Sequence, residues 1–393
     1  MQNPSIPRHR QPTAGKSKTL GMACLAGLLL AGATGNANAG YKLELTDTSF
    51  ISLGMGMRAA AIGRDDGAPD SDSWGTDFDV QNMRLYLSGQ ITDKIKFTFN
   101  TDEIFGDGPV DVLDAIAQFE FSPSFNIWLG RMLTPADRIE MNGPFYGLSW
   151  NQYTQPLYAS DQGGTAGTYG RDDGVTVWGT MGKFQYAIGA FDGLNGFSNQ
   201  SDDVLIAGRF AYNFLNMEDN PAYYTSSTYY GGLGNILTLG VSFQTQDNGT
   251  GSAAEPGDFF GFTVDLLSET VLDGGGVVTI EGEYKNFDAD YTLATTPTAG
   301  ACFCLFDGDS WFATAAFLFP QEVGVGKFQP YVRYVSNDPS DAADSDLLEV
   351  GVNYVISGHN ARLNLNYSTG DANISGYRGA DTDSISFGAQ LQF

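Results

Sequence analysis

The sequence carries little of the chemistry that enzymes and metalloproteins use. Of 393 residues, three are cysteine and two are histidine. Past residue 39 only Cys302, Cys304 and His359 remain. A structural zinc site takes four Cys or His ligands, so no metal and no other cofactor is expected. The pair Cys302 and Cys304, in Ala-Cys-Phe-Cys-Leu, leaves a strained disulfide, a bridge to another chain or two free thiols open in an oxidising space. Nucleophilic hydrolysis needs an activated nucleophile and usually a histidine base. His359 sits in the turn-like Gly358-His359-Asn360, where no loop pocket is expected, so the chain reads as a non-enzyme.

Basic residues are also scarce. Lys and Arg number 20 against 46 Asp and Glu, a formal net charge of −26. Nucleic acid is excluded as a partner, because a phosphate backbone is bound by a basic surface. Long apolar runs are missing too: none beyond residue 39 reaches the 18 or so residues that mark a membrane-spanning helix. The run from Leu20 to Ala31 is about a dozen residues long, against roughly 20 for a spanning helix. It follows the basic Arg8, Arg10, Lys16 and Lys18 and precedes Ala37-Asn38-Ala39, an A-x-A cleavage pattern. Residues 1–39 are therefore expected to be a cleaved secretory signal peptide, and residues 40–393 the folded domain. Removing the leader takes away four basic residues and no acidic one, leaving a net charge of −30. With 13% aromatic residues, disorder is not the reason for this acidity.

What the chain does have is period-two alternation. In the last eleven residues Ile385, Phe387, Ala389, Leu391 and Phe393 share one parity, and Ser384, Ser386, Gly388, Gln390 and Gln392 share the other. Successive strand side chains point to opposite faces, so this segment has one apolar and one polar face. The same pattern recurs in sixteen runs. The first is Ser49–Ile62, and short turns follow the second, fourth, sixth, tenth and fourteenth. An even count with alternating short and long connections predicts an all-β fold, a 16-stranded antiparallel transmembrane barrel with an apolar exterior and a polar lumen. A polar insertion from Asn216 to Asn235, after the eighth run, departs from that rhythm. Aromatics near run ends (Tyr212, Phe214, Tyr284, Phe287, Tyr334 and Tyr354) are expected to form interfacial girdles.

The terminal strand with its final Phe393 resembles the signature that outer-membrane assembly machinery recognises. A more specific likeness lies in Gln81-Asn-Met-Arg-Leu-Tyr-Leu-Ser-Gly-Gln-Ile-Thr-Asp-Lys-Ile-Lys-Phe-Thr-Phe99, Leu113-Asp-Ala-Ile-Ala-Gln-Phe-Glu-Phe121 and Ile127-Trp-Leu-Gly-Arg-Met-Leu-Thr-Pro135. This stretch resembles the phosphate-selective porin O and P family of Gram-negative outer membranes. The resemblance implies a trimeric, 16-stranded channel whose long third loop folds inward and narrows the pore. It also implies lumen arginines with lysines at the constriction. Here residues 132–170 contain no lysine and only Arg138 as a cation, so phosphate selectivity is not carried over.

The functional expectation is an outer-membrane diffusion channel for small ions and hydrophilic solutes, weakly cation-preferring or non-selective. The alternatives are an anion- or phosphate-selective porin and a barrel acting as surface adhesin or anchor. Residues 132–170 exceed the usual loop length and are expected to enter the lumen. Asp137, Arg138 and Glu140 are the predicted constriction, facing Arg84, Arg209, Arg333 or Arg362. The remaining predicted pore-lining residues are Lys96, Asp114, Glu120, Glu281, Glu283 and Glu349. Lipid, lipopolysaccharide and two further copies of the chain are the expected partners. Acidic loop groups such as Asp65, Asp66, Asp70 and Asp72 read as solvated charge, lacking the spacing of a calcium loop.

Overall fold

The computed structural model describes residues 40–104, 110–158, 170–193, 198–289 and 306–393. The expected leader and both Cys302 and Cys304 lie outside the described residues. A short strand β1 (Tyr41–Glu44) precedes β2 (Phe50–Arg64), β3 (Gly75–Thr92), β4 (Ile95–Ile104), β5 (Asp111–Ser122) and β6 (Phe125–Leu133). A helical segment α1 (Arg138–Tyr146) interrupts the pattern before β7 (Arg171–Met181), β8 (Phe184–Phe191) and β9 (Leu205–Asn213). Then come β10 (Ile236–Gly251), β11 (Pro256–Val271), β12 (Val277–Ala289) and β13 (Gly308–Leu318). The chain ends with β14 (Lys327–Pro339), β15 (Ser345–Ser357), β16 (Ala361–Gly370) and β17 (Thr382–Gln392).

Each of β2 to β17 pairs antiparallel with its sequence neighbours, and β17 returns to β2 with Ala389 opposite Ala59. The sixteen expected runs thus close into a ring with no free edge, the condition for a sheet to exist in lipid. The carboxy-terminal residue continues the seam, because Phe393 and Met55 exchange both backbone hydrogen bonds. Below it, β1 covers the remaining edge of β2, with Leu43 opposite Ile51.

The alternation decides which way each side chain points. Leu53, Leu85, Leu129, Val241, Ile280, Val350 and Phe387 are exposed on the outside. Turning such a side chain from water to lipid is worth about 1.5–3 kcal/mol, so the apolar belt stabilises the barrel only inside a bilayer. Tyr212, Phe214, Tyr284 and Tyr334 are exposed outward as girdle residues. Phe287 is not: it is buried inside the ring against Phe259, Tyr158 and Phe306. Its parity, shared with Lys285 rather than Tyr284, is what turns it inward.

One further expectation needs correction. The lumen is not uniformly polar, since Ile116, Trp128, Met132, Phe191, Leu205, Phe259 and Phe287 form a buried apolar cluster within it. The insertion after the eighth run is a genuine connection between β9 and β10, residues 214–235. It leaves from the end of the barrel that carries the tight turns, called here the turn end; the long loops occupy the loop end.

Candidate functional site

The segment after β6 enters the barrel and crosses it. Asp137 caps α1, its Oδ1 accepting from the Glu140 amide at 3.0 Å. Such a cap satisfies one of the orphan amides of a first helical turn. Helical geometry breaks at Gly143 (φ 59°), followed by Pro144. A left-handed φ is accessible to glycine without Cβ strain, and proline supplies no amide donor to carry the helix on. The ring-bearing residues that follow need room at the wall. A Cβ on Gly388 of β17 would lie 2.3 Å from the Trp150 ring, and one on Gly56 of β2 would lie 2.9 Å from Phe145. Those two strand glycines are seats for the loop.

On the β9–β12 side the loop is fixed by buried ion pairs. Arg138 donates to Asp265 at 3.1 Å and, through both terminal nitrogens, to Glu218 at 2.8 Å. Arg209 donates to the same Asp265 at 2.9 Å. Lys285 reaches Asp137 at 2.5 Å and lies 3.3 Å from Glu283. Glu140 accepts from the Tyr158 amide at 2.5 Å. All of these side chains are at least nine-tenths buried. Burying a charge is tolerable only with a close counter-ion and further hydrogen bonds, and the paired geometry supplies both.

On the opposite wall the strand arginines hold loop carbonyls instead of carboxylates. Arg362 donates to Gly147 O at 2.6 Å, and Arg58 donates to Trp150 O at 2.8 Å. Arg333 donates to Asn151 O at 2.8 Å and Gln152 O at 3.0 Å. Asn353 and Gln390 add bonds to Leu148 O and Phe145 O, both at 2.9 Å. The returning strand of the loop is tied by Lys285 to Pro156 O at 3.0 Å and by Tyr158, whose hydroxyl meets Thr263 at 2.7 Å.

Of the four arginines offered as partners for Asp137, Arg138 and Glu140, the structure brings one to them. Arg209 is near Arg138, joined through Asp265. Arg84, Arg333 and Arg362 do not face Asp137, Arg138 or Glu140: Arg84 pairs with Asp102 at 2.6 Å, and the other two bind carbonyls. Glu281 accepts from Ser227 at 2.6 Å, and Glu349 accepts from the Tyr331 hydroxyl. With Arg209, Glu283, Arg333 and Arg362 these residues are buried. Alternation predicts which face a side chain occupies but not that a loop will cover that face.

The face that stays partly open is β3–β5. Lys96 pairs with Glu120, and both are half-buried. Asp114 accepts from Asn100 at 2.8 Å and from Arg171 at 3.2 Å. A cavity of about 520 Å³ lies on the loop-end side, lined by Arg58, Asp79, Asn82, Trp150, Tyr153 and Ser386 among others. Arg84 stands beside it: a Cβ on Gly143 would be 3.7 Å from its guanidinium. Sequence reasoning missed Arg58, although it lies on the polar parity of β2. It also missed Glu218, for which the sequence offers no signal. No group of three or more metal-ligating side chains occurs among the described residues. Asp172 and Asp173 belong to β7, where Asp173 lies 3.8 Å from Arg131.

His359 is not remote from the interior. Its Nε2 donates to Thr228 O at 2.9 Å and lies 3.1 Å from the Ser226 hydroxyl. Its ring packs on Tyr146 and Tyr230, with centroids 5.1 and 4.9 Å away. Burial first, then the nearby Arg362, pushes its pKa down to about 3. The other charged group close by is Glu269, which accepts from Thr228 on the far side. A depressed folded pKa means that the neutral ring's contribution is full above the ordinary value of 6.5 and is lost as pH falls toward 3. Each unit in that window costs about 1.4 kcal/mol of local stability. The opening free energy at residues 225–230, from hydrogen-exchange rates divided by the intrinsic rate at each pH, should therefore fall between pH 6.5 and 4, and a His359→Gln variant should flatten the profile. An unchanged wild-type profile would contradict the assignment.

Comparison with known proteins agrees with the architecture. Residues 305–393 match the family model described as phosphate-selective porin O and P. The match covers β13 to β17 and not the 81–135 stretch on which the resemblance was read. No curated protein sequence matches the chain significantly. Among solved structures, OmpF of Salmonella typhi in complex with daunomycin aligns with a TM-score of 0.55 at 13% identity, covering 90% of this chain and all of the other. The outer membrane channel DcaP of Acinetobacter baumannii aligns at 0.54 with 12% identity, again over 90% and 100%. OmpT of Vibrio cholerae, an outer membrane protein solved in a trimer form, gives 0.54 at 12% identity over 88% and 100%. At such identities the likeness is one of fold.

Proposed function

We propose that this chain, a porin-type barrel of the bacterial outer membrane whose last five strands match the porin O and P family, is a passive diffusion channel for small hydrophilic solutes and ions. The observation that carries the reading is a closed 16-strand ring with a loop tied across its lumen, beside a polar, half-exposed face on β3–β5. A 16-stranded barrel is wide enough for an aqueous channel, and a lumen-crossing loop converts width into size selection. Reconstitution into a planar bilayer should give discrete conductance steps; their absence from folded, heat-modifiable protein would overturn the reading. The barrel is proposed to work as a homotrimer seated in lipid and lipopolysaccharide, without catalytic activity.

Selectivity follows from what the open face presents. Arg84, Lys96 and Arg171 are each paired with a carboxylate, and Arg333 and Arg362 are committed to loop carbonyls. Among the described residues, these five cations are engaged, which speaks against the family's phosphate preference. Beyond the lumen, a net charge of −26 concentrates cations at the rim, an effect that salt screens over ~10 Å at 0.1 M. The zero-current potential under a KCl gradient should show weak cation preference or almost none. A strong anion potential, or chloride current blocked by low phosphate, would instead establish an anion-selective porin.

A further inference from the structure

We infer that the connection between β9 and β10 is a second pore-narrowing element, entering from the turn end, and that solutes pass off-centre along β3–β5. The inference rests on the channel reading above.

The other connections at the turn end span two to eight residues, whereas this one spans 22. Its extra length does not lie outside the barrel. It turns inward and bonds to the loop that enters from the opposite end. The Thr225 hydroxyl donates to Arg138 O at 2.7 Å, and the Ser227 amide donates to Tyr146 O at 3.1 Å. Asn142 donates to the Ser227 hydroxyl at 2.7 Å. The Arg138–Glu218 pair clamps the two connections with two parallel bonds, both side chains almost fully buried. Bidentate arginine–carboxylate geometry fixes orientation as well as distance.

The same connection seals the wall beside it with aromatic rings. Tyr223 and Tyr224 pack on Trp128 at centroid distances of 5.5 and 5.9 Å, and the Tyr223 hydroxyl donates to Leu133 O at 2.8 Å. The consequence is an asymmetric lumen. On β10–β12 the inward hydroxyls of Ser242, Thr263 and Thr279 are completely inaccessible. On β4 the inward Lys96, Thr98 and Asn100 are half-exposed. Inward polar residues of one lumen are thus wet on one side and dry on the other. Two connections from opposite ends, bonded to each other, fill the dry half. The passage left is flanked by charges that are already paired, which favours small neutral or weakly charged polar solutes over strongly charged ones.

The test uses the full-length chain with Cys302→Ser and Cys304→Ser as background, carrying single cysteines. Thr98→Cys and Asn100→Cys should react with a charged methanethiosulfonate reagent in vesicles and lower the current. Ser242→Cys and Thr279→Cys should stay unmodified. Labelling is read by mass, so it remains decisive even when current is not. Replacing residues 219–230 by a short Gly-Ser linker should expose Thr279→Cys, whose neighbour Glu269 is now covered by Thr228 and Tyr229, and raise unit conductance roughly twofold or more, the filled half having become aqueous. Modification of Ser242→Cys in the otherwise full-length chain, or unmodified Thr98→Cys, would overturn the inference. If the linker variant does not fold, Glu218→Gln is the second variant, and faster labelling of Thr279→Cys is its expected result. Single-cysteine variants that label as expected but, before labelling, conduct no current would overturn the channel reading and leave the lumen asymmetry standing.

Discussion

Deleting residues 142–153 raises single-channel conductance several-fold and shifts the zero-current potential toward anions, while the barrel still folds. Folding is expected to survive because closure depends on the strand register from β2 round to β17, and none of those ladders uses this segment. Conductance rises because the deleted residues include those that Arg58, Arg333 and Arg362 hold across the lumen. The sign of the selectivity shift follows from the same bonds. Three guanidiniums would lose the loop carbonyls to which they now donate and gain access to water, and arginines lining a confined aqueous pore attract anions. Bilayer recordings in a KCl gradient report both effects. Unchanged conductance, or a shift toward cations, would mean that the loop does not limit permeation.

Replacing Asp265 by Asn lowers the temperature of heat-modified migration by many degrees, far more than breaking a surface pair does. Asp265 alone serves two guanidiniums, Arg138 at 3.1 Å and Arg209 at 2.9 Å. It is fully buried. Removing one partner from such a site leaves uncompensated charge in a dry interior, which costs about 3–5 kcal/mol. The comparison is Arg64→Ala, which breaks an exposed 3.1 Å pair with Asp77; exposed pairs contribute only about 0–1 kcal/mol. The loop should loosen before the strands do, so hydrogen exchange in α1 would rise ahead of global unfolding. Equal effects of the two substitutions would show that the buried cluster is not what secures the loop.

The sequence by itself determined the wall of this protein. Period-two alternation places Leu391 outside and Gln390 inside without reference to any partner, because strand geometry alone sets the facing of successive residues. Sixteen such runs, short turns at one end and the absence of long apolar helices leave a closed membrane barrel as the consistent fold. The terminal strand shows how far this goes, since all ten residues from Ser384 to Phe393 face as their parity demands. Phe287 was equally legible, and reading it as a girdle residue went against its own parity.

What fills the barrel was decided only by tertiary structure. Arg333, Arg362, Glu281 and Glu349 were read correctly as inward-facing, yet whether an inward side chain meets water or a loop depends on residues nearly 200 positions away, as Arg333 and Asn151 illustrate. Glu218 sits in a polar insertion with no periodicity, and nothing local marks it as the partner of Arg138 some 80 residues earlier. His359 is the same case: a turn residue by sequence, it becomes buried because a second connection folds up against it. Strand facing is a local property of the backbone, whereas occupancy of a lumen depends on contacts between elements distant in the chain. The first can therefore be read residue by residue, and the second exists only once the ring has closed around it.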